Sequence, residues 1–429
     1  MKAVYLVEGV RTPQVKSGTD LKEISAPYLG HYLIRHLMNK YEIPNTDVDE
    51  VIMGNTGTPA KYPNVSRVIA LEAGLHKKTS AYSVHRNCAS GMQALGNAFD
   101  SIALGRSDVI FAGGVESMSQ MPLLYGKEMT DFFINMMKAK NVQDKLKILS
   151  SFRLPFLNPI IAIEQGLTDP FCGQNMGQTA ENLAREFNIT REQQDEYANR
   201  SHAKAVKAMK EGKFKDEILP IIAGSKLDKL ISEDIGPREN SSIESLAKLK
   251  PYFEKVTGTV TVGNSCPITD GGSCFLLCSE EAVKRYNMKP MARFVNYHFH
   301  GLEPERMGLG PAMASHGVLK RSEMSMDQMD LIEVNEAFAA QIMAVQNVCS
   351  SSEVSKRWDI NETIGEIPDE KLNVNGGAIA FGHPVGSSGC RIVVTLAHEL
   401  AKRKAKYGIA SLCIGGGQGG AVVVENLIQ

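Results

Sequence analysis

The chain has 429 residues, 22% charged and 43% apolar, which is the balance of a globular protein with room for two or three domains. Forty-seven Lys and Arg against 48 Asp and Glu leave a net charge of −1, so nothing electrostatic points to a nucleic-acid partner. No apolar run approaches the roughly 20 residues of a membrane span, and the start lacks a charged-then-apolar leader, so a cytoplasmic location is expected.

In chain order, "AVYLVEGV" (Ala3–Val10) predicts a strand running into a turn at Arg11-Thr12-Pro13. "AYSVH" (Ala81–His85) predicts a second strand, and Asn87 is placed to cap a helix over about Cys88–Leu104. Cys88 then falls in the helix's first turn, where free N–H groups and the positive end of the dipole favour a thiolate. The competing reading is a small buried apolar cysteine. "DVIFAGG" (Asp108–Gly114) predicts the next strand.

The stretch from Leu123 to Glu254 differs in composition, rich in Lys, Met and Asn, and reads as an inserted helical and loop domain. Thr190 with Gln193 forms a capping-box pattern ahead of one of its helices. Residues 131–152 carry Phe132, Phe133, Met136, Met137, Val142, Leu146 and Leu149 at helical spacing, with lysines interleaved. Such a basic amphipathic segment lies on a membrane, docks on a partner, packs on its own domain or covers a tunnel. The expected organisation is residues 1–122, completed by about 256–280, then the insert at 123–255, then a C-terminal half at 281–429.

"TGTVTVGNSCPITDGGSCFLLCS" (Thr257–Ser279) returns to strands, joined at an Asp-Gly-Gly turn. His298 and His300 are set aside as a metal pair, on the expectation that they point to opposite faces of a strand. The eight cysteines are scattered without zinc spacing, so free thiols and no metal are expected. Asn335 and Glu336 follow the apolar strand "DLIEV" and precede a helix, where Asn335 could serve merely as a cap. His383 stands in a glycine-rich loop, placed either to take a proton from a thiol or to bond backbone. Cys413 ends a strand, and five of the next seven residues are glycine. Free N–H groups there could hold an oxyanion; the Lys-Ser/Thr of a phosphate loop is missing.

Two segments share one layout of Ser-Gly, helix, apolar strand and Gly-Gly: "SGMQALGNAFDSIALGRSDVIFAGG" and "SGCRIVVTLAHELAKRKAKYGIASLCIGG". This repeat and the β–α alternation predict an α/β fold built from two duplicated halves, with a site where they meet.

"NCASGMQAL", "GGVESMS", "NEAFA", "GGAIAFGHPVGSSGCR" and "CIGGGQGGA" together resemble the signatures of the thiolase family, in that family's order. The resemblance implies a thiolase fold, two mixed-sheet halves in a layered αβαβα core. It implies Cys88 as nucleophile, His383 as its activating base and Cys413 as a second acid/base. A water held by Asn335 would form one oxyanion hole with His383, and the N–H groups of Cys88 and Gly415 the other. Met176 and Met307 would line the acyl pocket. The family's pantetheine-contacting serine falls near Ser265, with Cys266 where the usual serine stands. The implied substrates are acyl-CoA and CoA, CoA being a substrate and no cofactor being needed. A homodimer or homotetramer is implied too.

"KLKILSSFRLPFLNP" and the segment around "KRWDINETIGEIPDEKL" are further similar to β subunits of trifunctional fatty-acid oxidation complexes, which implies a hydratase/dehydrogenase α subunit as a partner. Some members of that subfamily carry His where this chain has Asn335. A decarboxylating ketoacyl synthase is a rival reading that leaves Cys413 without a task. A short-chain acetyl-CoA acetyltransferase uses the same residues, and a non-enzymatic scaffold or lipid-binding subunit is the remote alternative.

Overall fold

Two half-sheets meet at one antiparallel seam. The computed structural model describes residues 2–224 and 226–428. The sheet strands are β1 (Val4–Arg11), β2 (Glu50–Gly54), β3 (Ser80–Val84), β4 (Val109–Glu116), β5 (Thr269–Ser279), β6 (Ala292–Gly301), β7 (Leu331–Val334), β8 (Tyr407–Ile414) and β9 (Gln418–Asn426). They run in the order β7-β8-β9-β6-β1-β5-β4-β2-β3, and a short strand, Val15–Lys16, pairs with the start of β5. The seam is β1 against β6, with Leu6 opposite Ala292 and Val4 opposite Phe294.

Outward from the seam the two sides repeat. β1–β5–β4 and β6–β9–β8 are antiparallel, and then β4–β2 and β8–β7 are parallel. β3 lies parallel to β2, and a parallel bridge from Ile332 to Leu372 takes the same place beside β7. The duplication expected from the two Ser-Gly…Gly-Gly units is thus repeated in the topology.

The main helices are α1 (Ala26–Lys40), α2 (Val65–Glu72), α3 (Ser90–Ala103), α4 (Lys127–Lys138), α5 (Val142–Ser150), α6 (Met176–Glu186), α7 (Arg191–Lys210), α8 (Gly310–Arg321), α9 (Ala339–Ser350) and α10 (Val385–Arg403). Three apolar cores order them into layers. Met92 and Leu95 of α3 and Ile392 and Leu396 of α10 pack with strands of both halves, including Ile110, Phe275, Leu412 and Val422. Leu29 and Leu33 of α1 cover the other face of the first half through Phe111 and Leu276. Met313 of α8 and Ile342 of α9 cover the second half through Ile409 and Val423. Adjacent residues such as Ile110 and Phe111 belong to different cores because strand side chains alternate in direction. The result is a helix–sheet–helix–sheet–helix stack.

β5 follows the insert in sequence yet lies between β1 and β4 in space. The expected turn at Asp270-Gly271-Gly272 does not form; all three residues lie inside β5, with Gly271 opposite Glu116. These glycines serve close packing instead. A Cβ on Gly271 would lie 3.3 Å from Pro384, and one on Gly272 3.3 Å from Leu29.

Thr190 caps α7 in a full capping box with Gln193, as its pattern predicts. The segment 131–152 departs from expectation. It forms two helices, α4 and α5, separated where Asn141 caps the second. The expectation that they pack on their own domain fails: from 123 to 168 only Met129 is buried. His298 and His300 also correct the sequence reading. Residues two apart on a strand share a face, and their rings stand 5.8 Å apart on β6. Among the described residues, no group of three or more His, Cys, Asp or Glu is arranged to hold a metal ion. No described helix is long and apolar enough to cross a membrane.

Candidate active site

Cys88 stands between β3 and α3, but not in the helix. α3 begins at Ser90 with Ala89 as its uncapped N-cap, so the capping role expected of Asn87 is not found. Asn87 instead takes a left-handed conformation, φ 44°, and its side-chain amide donates to the Gly415 carbonyl at 2.7 Å. That bond ties the Cys88 loop to the loop after β8, across the two halves. Ser90 Oγ closes the turn by accepting from Arg86 N at 2.9 Å and donating to Asn87 O at 2.7 Å.

The Cys88 sulfur faces two backbone N–H groups, those of Gly415 and of Cys88 itself. Burial pushes the thiol up, and the two N–H groups offset this only in part. The expected thiolate at a helix N-terminus is therefore replaced by a neutral thiol at rest, because desolvation outweighs the local donors. Gly415 also leaves room for Met176, whose Sδ would lie 3.0 Å from a Cβ at that position.

His383 is held from both sides. Its N–H donates to Pro267 O at 3.0 Å, and its ring Nδ1 lies 2.6 Å from Ser388 Oγ. Ser388 Oγ donates its one proton to Pro384 O at 3.1 Å, so it accepts from His383 Nδ1–H. This bonding assigns the tautomer and leaves Nε2 as the basic nitrogen, with no partner in the protein. Burial, helped by the Arg391 charge, holds the ring at a pKa of about 4, so it is neutral and available as a base at physiological pH.

Cys413, near the end of β8, is buried with Met307, Ala337, Phe338 and Val260, and Met176, Phe253 and Cys266 pack against this group. Burial first, then the neighbouring Cys88 and Cys266, push its thiol well above the ordinary range. It remains a proton-bearing acid. Asn335 follows β7 and its N–H donates to Ser411 O at 3.0 Å, while α9 starts later, with Phe338 at the N-cap. Asn335 is therefore no cap. Its side-chain amide Nδ2 is buried and unpartnered, a state that costs about 1–3 kcal/mol without a bonding partner.

The structure groups Cys88, Gly415, Cys413, Cys266, Met176 and Met307, and the segments of His383 and Asn335 reach the same region through backbone bonds, His383 N–H to Pro267 O and Cys266 N–H to Ala337 O, both at 3.0 Å. It separates Ser265 from that group in one respect: the Ser265 hydroxyl is donated to Thr261 O at 2.5 Å and turned into the backbone. Cys266 borders the apolar cluster instead, its thiol pushed to about 12 by burial.

Two carboxylates within the quoted signatures were given no role by the sequence reading. Glu116, buried at the end of β4, accepts from Asn55 Nδ2 at 2.9 Å, Thr56 N at 3.0 Å, Gly57 N at 2.9 Å and Gly386 N at 2.8 Å. Gly386 lies in the first turn of α10, whose N-cap Pro384 offers no side-chain bond. Glu116 therefore satisfies the helix that begins just after His383, from the other half of the molecule. Glu336 accepts from Tyr197 Oη at 2.9 Å, Ser201 Oγ at 2.6 Å, Asn373 Nδ2 at 3.0 Å and Ile379 N at 3.2 Å. It joins α7 of the insert to the loop that leads to His383. The sequence signal for both was a charged residue inside a signature segment, GGVESMS or NEAFA, otherwise fit for burial.

A duplicated core, a thiol facing two N–H groups, a neutral imidazole in a glycine-rich loop and a second buried thiol are parts suited to covalent acyl transfer. The comparisons with known proteins agree. Residues 4–281 match the family model "Thiolase, N-terminal domain" and residues 288–426 match "Thiolase, C-terminal domain". A probable acetyl-CoA acyltransferase of Staphylococcus aureus (strain N315) is 38% identical over 427 residues, covering 99% of each chain. The crystal structure of the Bacillus anthracis acetyl-CoA acetyltransferase superposes with a TM-score of 0.87 at 37% identity, covering 100% of this chain and 99% of that one. The human mitochondrial 3-ketoacyl-CoA thiolase in complex with CoA gives 0.85 at 36% identity, covering 99% and 98%. The chain belongs to the thiolase family, and it is an acyltransferase.

Proposed function

We propose that this acyltransferase is a 3-ketoacyl-CoA thiolase of fatty-acid β-oxidation. It would cleave 3-ketoacyl-CoA with CoA to acetyl-CoA and a shortened acyl-CoA. The observation that carries the reading is the Cys88 sulfur over the Gly415 and Cys88 N–H groups, beside a second thiol at Cys413.

In this reading His383 Nε2 takes the Cys88 proton as the sulfur attacks the 3-keto carbon. The high thiol and the low imidazole couple proton transfer to attack, with no preformed ion pair. The Cys88 and Gly415 N–H groups receive the oxygen of the attacked carbon. The C2–C3 bond breaks, leaving an acyl-Cys88 and an enolate of acetyl-CoA. Imidazolium Nε2–H and the free amide of Asn335 favour the enolate oxygen, and the Cys413 thiol delivers a proton to C2. For the second half, Cys413 thiolate takes the proton of CoA, whose sulfur attacks the acyl-Cys88. Shortened acyl-CoA leaves, and Cys88 regains its proton from His383. The apolar group of Met176, Met307, Phe253 and Phe338 suits an alkyl chain.

The alternative is a short-chain acetyl-CoA acetyltransferase with the same chemistry. CoA-dependent cleavage of acetoacetyl-CoA and of a long-chain 3-ketoacyl-CoA, measured side by side, separates them. Faster cleavage of the long chain is expected; activity confined to acetoacetyl-CoA overturns the β-oxidation assignment.

A further inference from the structure

Arg391, the last residue of the signature around His383, is a poor choice for stability. It lies within α10 and is only 2% exposed. The carboxylates around it are not free to pair with it. Glu217 and Asp234 are taken by Arg11, at 2.6 Å and 2.8 Å. Burial, outweighing the pull of Arg391, holds Glu333 of β7 up at about 8, so it is mostly protonated at neutral pH. Arg391 Nε and Nη1 have no partner in the protein. A buried charge left this poorly satisfied is costly, and a fold that keeps one gains something other than stability from it.

The one side-chain bond Arg391 makes runs from Nη2 to Asn335 Oδ1, at 3.4 Å. A guanidinium donates and never accepts. The oxygen of the Asn335 amide therefore faces Arg391, and Nδ2 lies on the other side. Nδ2 is buried without a partner in the protein, and so is His383 Nε2. These are the two groups that the thiolase reading assigns to the enolate oxygen. The two ends of an amide are nearly alike in shape, so only its bonds decide which way it points. Turned over, Asn335 would offer an acceptor to an oxygen that carries negative charge.

The guanidinium also acts at longer range. Burial is the larger cause of the low His383 pKa, and the charge of Arg391 adds to it. The charged groups that bear on Arg391 in turn are Glu333 of β7, Arg11 of β1, and Glu217 and Asp234 of the insert. The thiols of Cys88, Cys266 and Cys413 are raised by burial and neutral at rest. A buried cation in this setting favours a neutral imidazole before the reaction and an anionic enolate during it.

We propose that Arg391 is a positioning residue for acyl transfer, whose donor-only guanidinium holds the Asn335 amide with Nδ2–H, and not Oδ1, toward the substrate oxygen. It touches no reacting atom itself. The proposal rests on the thiolase reading above.

Two variants separate the bond from the charge. Arg391→Met removes both, and Arg391→Gln removes the charge but keeps an amide that can donate to Asn335 Oδ1. Thiolysis of acetoacetyl-CoA should show kcat lowered about 10²-fold in Arg391→Met and about 10-fold in Arg391→Gln, with KM nearly unchanged. In both variants the His383 ring, followed by NMR of labelled histidine, should titrate above 4 yet below 6.5, because burial remains. Asn335→Asp should be less active than Asn335→Ala, since a carboxylate pairs with Arg391 and gives the substrate oxygen no donor. Normal kcat in Arg391→Met overturns the proposal, and so does an Asn335→Asp enzyme as active as Asn335→Ala. A rate loss with the His383 titration unmoved makes Arg391 a structural anchor and overturns it as well. Should Arg391→Met fail to fold, the Asn335 pair decides. Absence of thiolysis in the wild type counts against the enzymatic reading, whereas the His383 titration needs no turnover and still reads the charge of Arg391.

Discussion

The middle layer and the arm formed by residues 123–161 are built from similar residues and end in opposite states. α3 and α10 carry apolar faces that two half-sheets enclose, and their core residues are fully buried. α4 and α5 carry apolar faces too, but among the described residues these meet little beyond the aromatic contact of Phe132 with Phe152, and only Met129 is buried. Amphipathicity is a local property, whereas burial depends on what the topology brings alongside. In the middle layer the duplication supplies a sheet on each side. The arm branches off on a two-stranded stem, beyond the reach of either half.

The sharpest way to break this contrast is at the nucleophile. Cys88→Ala should lower turnover by about 10⁴-fold or more while the circular dichroism spectrum and melting curve stay unchanged. A variant with normal rate would remove Cys88 from the mechanism. Next comes packing. Leu95→Ala, in the layer both halves enclose, should cost about 2–5 kcal/mol in urea unfolding.

Glu116→Gln tests the span between the halves. Its four N–H donors need an acceptor on both oxygens, and an amide would set N–H against N–H. We expect turnover to fall about 10²-fold, with KM nearly unchanged and Glu116→Asp partly restoring the rate. An equal loss in both variants through unfolding would make Glu116 a purely structural anchor.

The resting protonation state gives a subtler test. Because burial raises the Cys88 thiol, its alkylation by iodoacetamide should still be accelerating above pH 9.0. A plateau near neutrality would show a thiolate–imidazolium pair instead. His383, held near 4, contributes in the opposite sense to an ordinary histidine. Below pH 6.5 the unfolded chain binds a proton that the folded one refuses, so its share of stability falls as pH drops from 6.5 towards 4. Smallest of all, Leu146→Ala on the arm should change stability by no more than about 0.5 kcal/mol, which is the other side of the Leu95 comparison.

Much of this protein was legible in sequence. Period-2 and helical apolar patterns located the strands and helices of the core, and the Thr190–Gln193 box located the start of α7. The repeat of Ser-Gly, helix, strand and Gly-Gly disclosed the duplication. Cys88, His383, Asn335 and Cys413 stood out because reactive side chains at glycine-rich strand ends are poor choices for packing. Other features were decided only in three dimensions. Asn87 looked like a cap and is a strut to Gly415. The glycines of β5 looked like a turn and are a packing surface. Ser265 looked available and is turned into the backbone. The Cys88 thiolate was read from a helix end, but burial, which no local pattern discloses, pushes that thiol up instead. Glu116 acts on a helix 270 residues away in sequence. Local chemistry fixes what each residue can do, and only the meeting of the halves fixes which of those things it does.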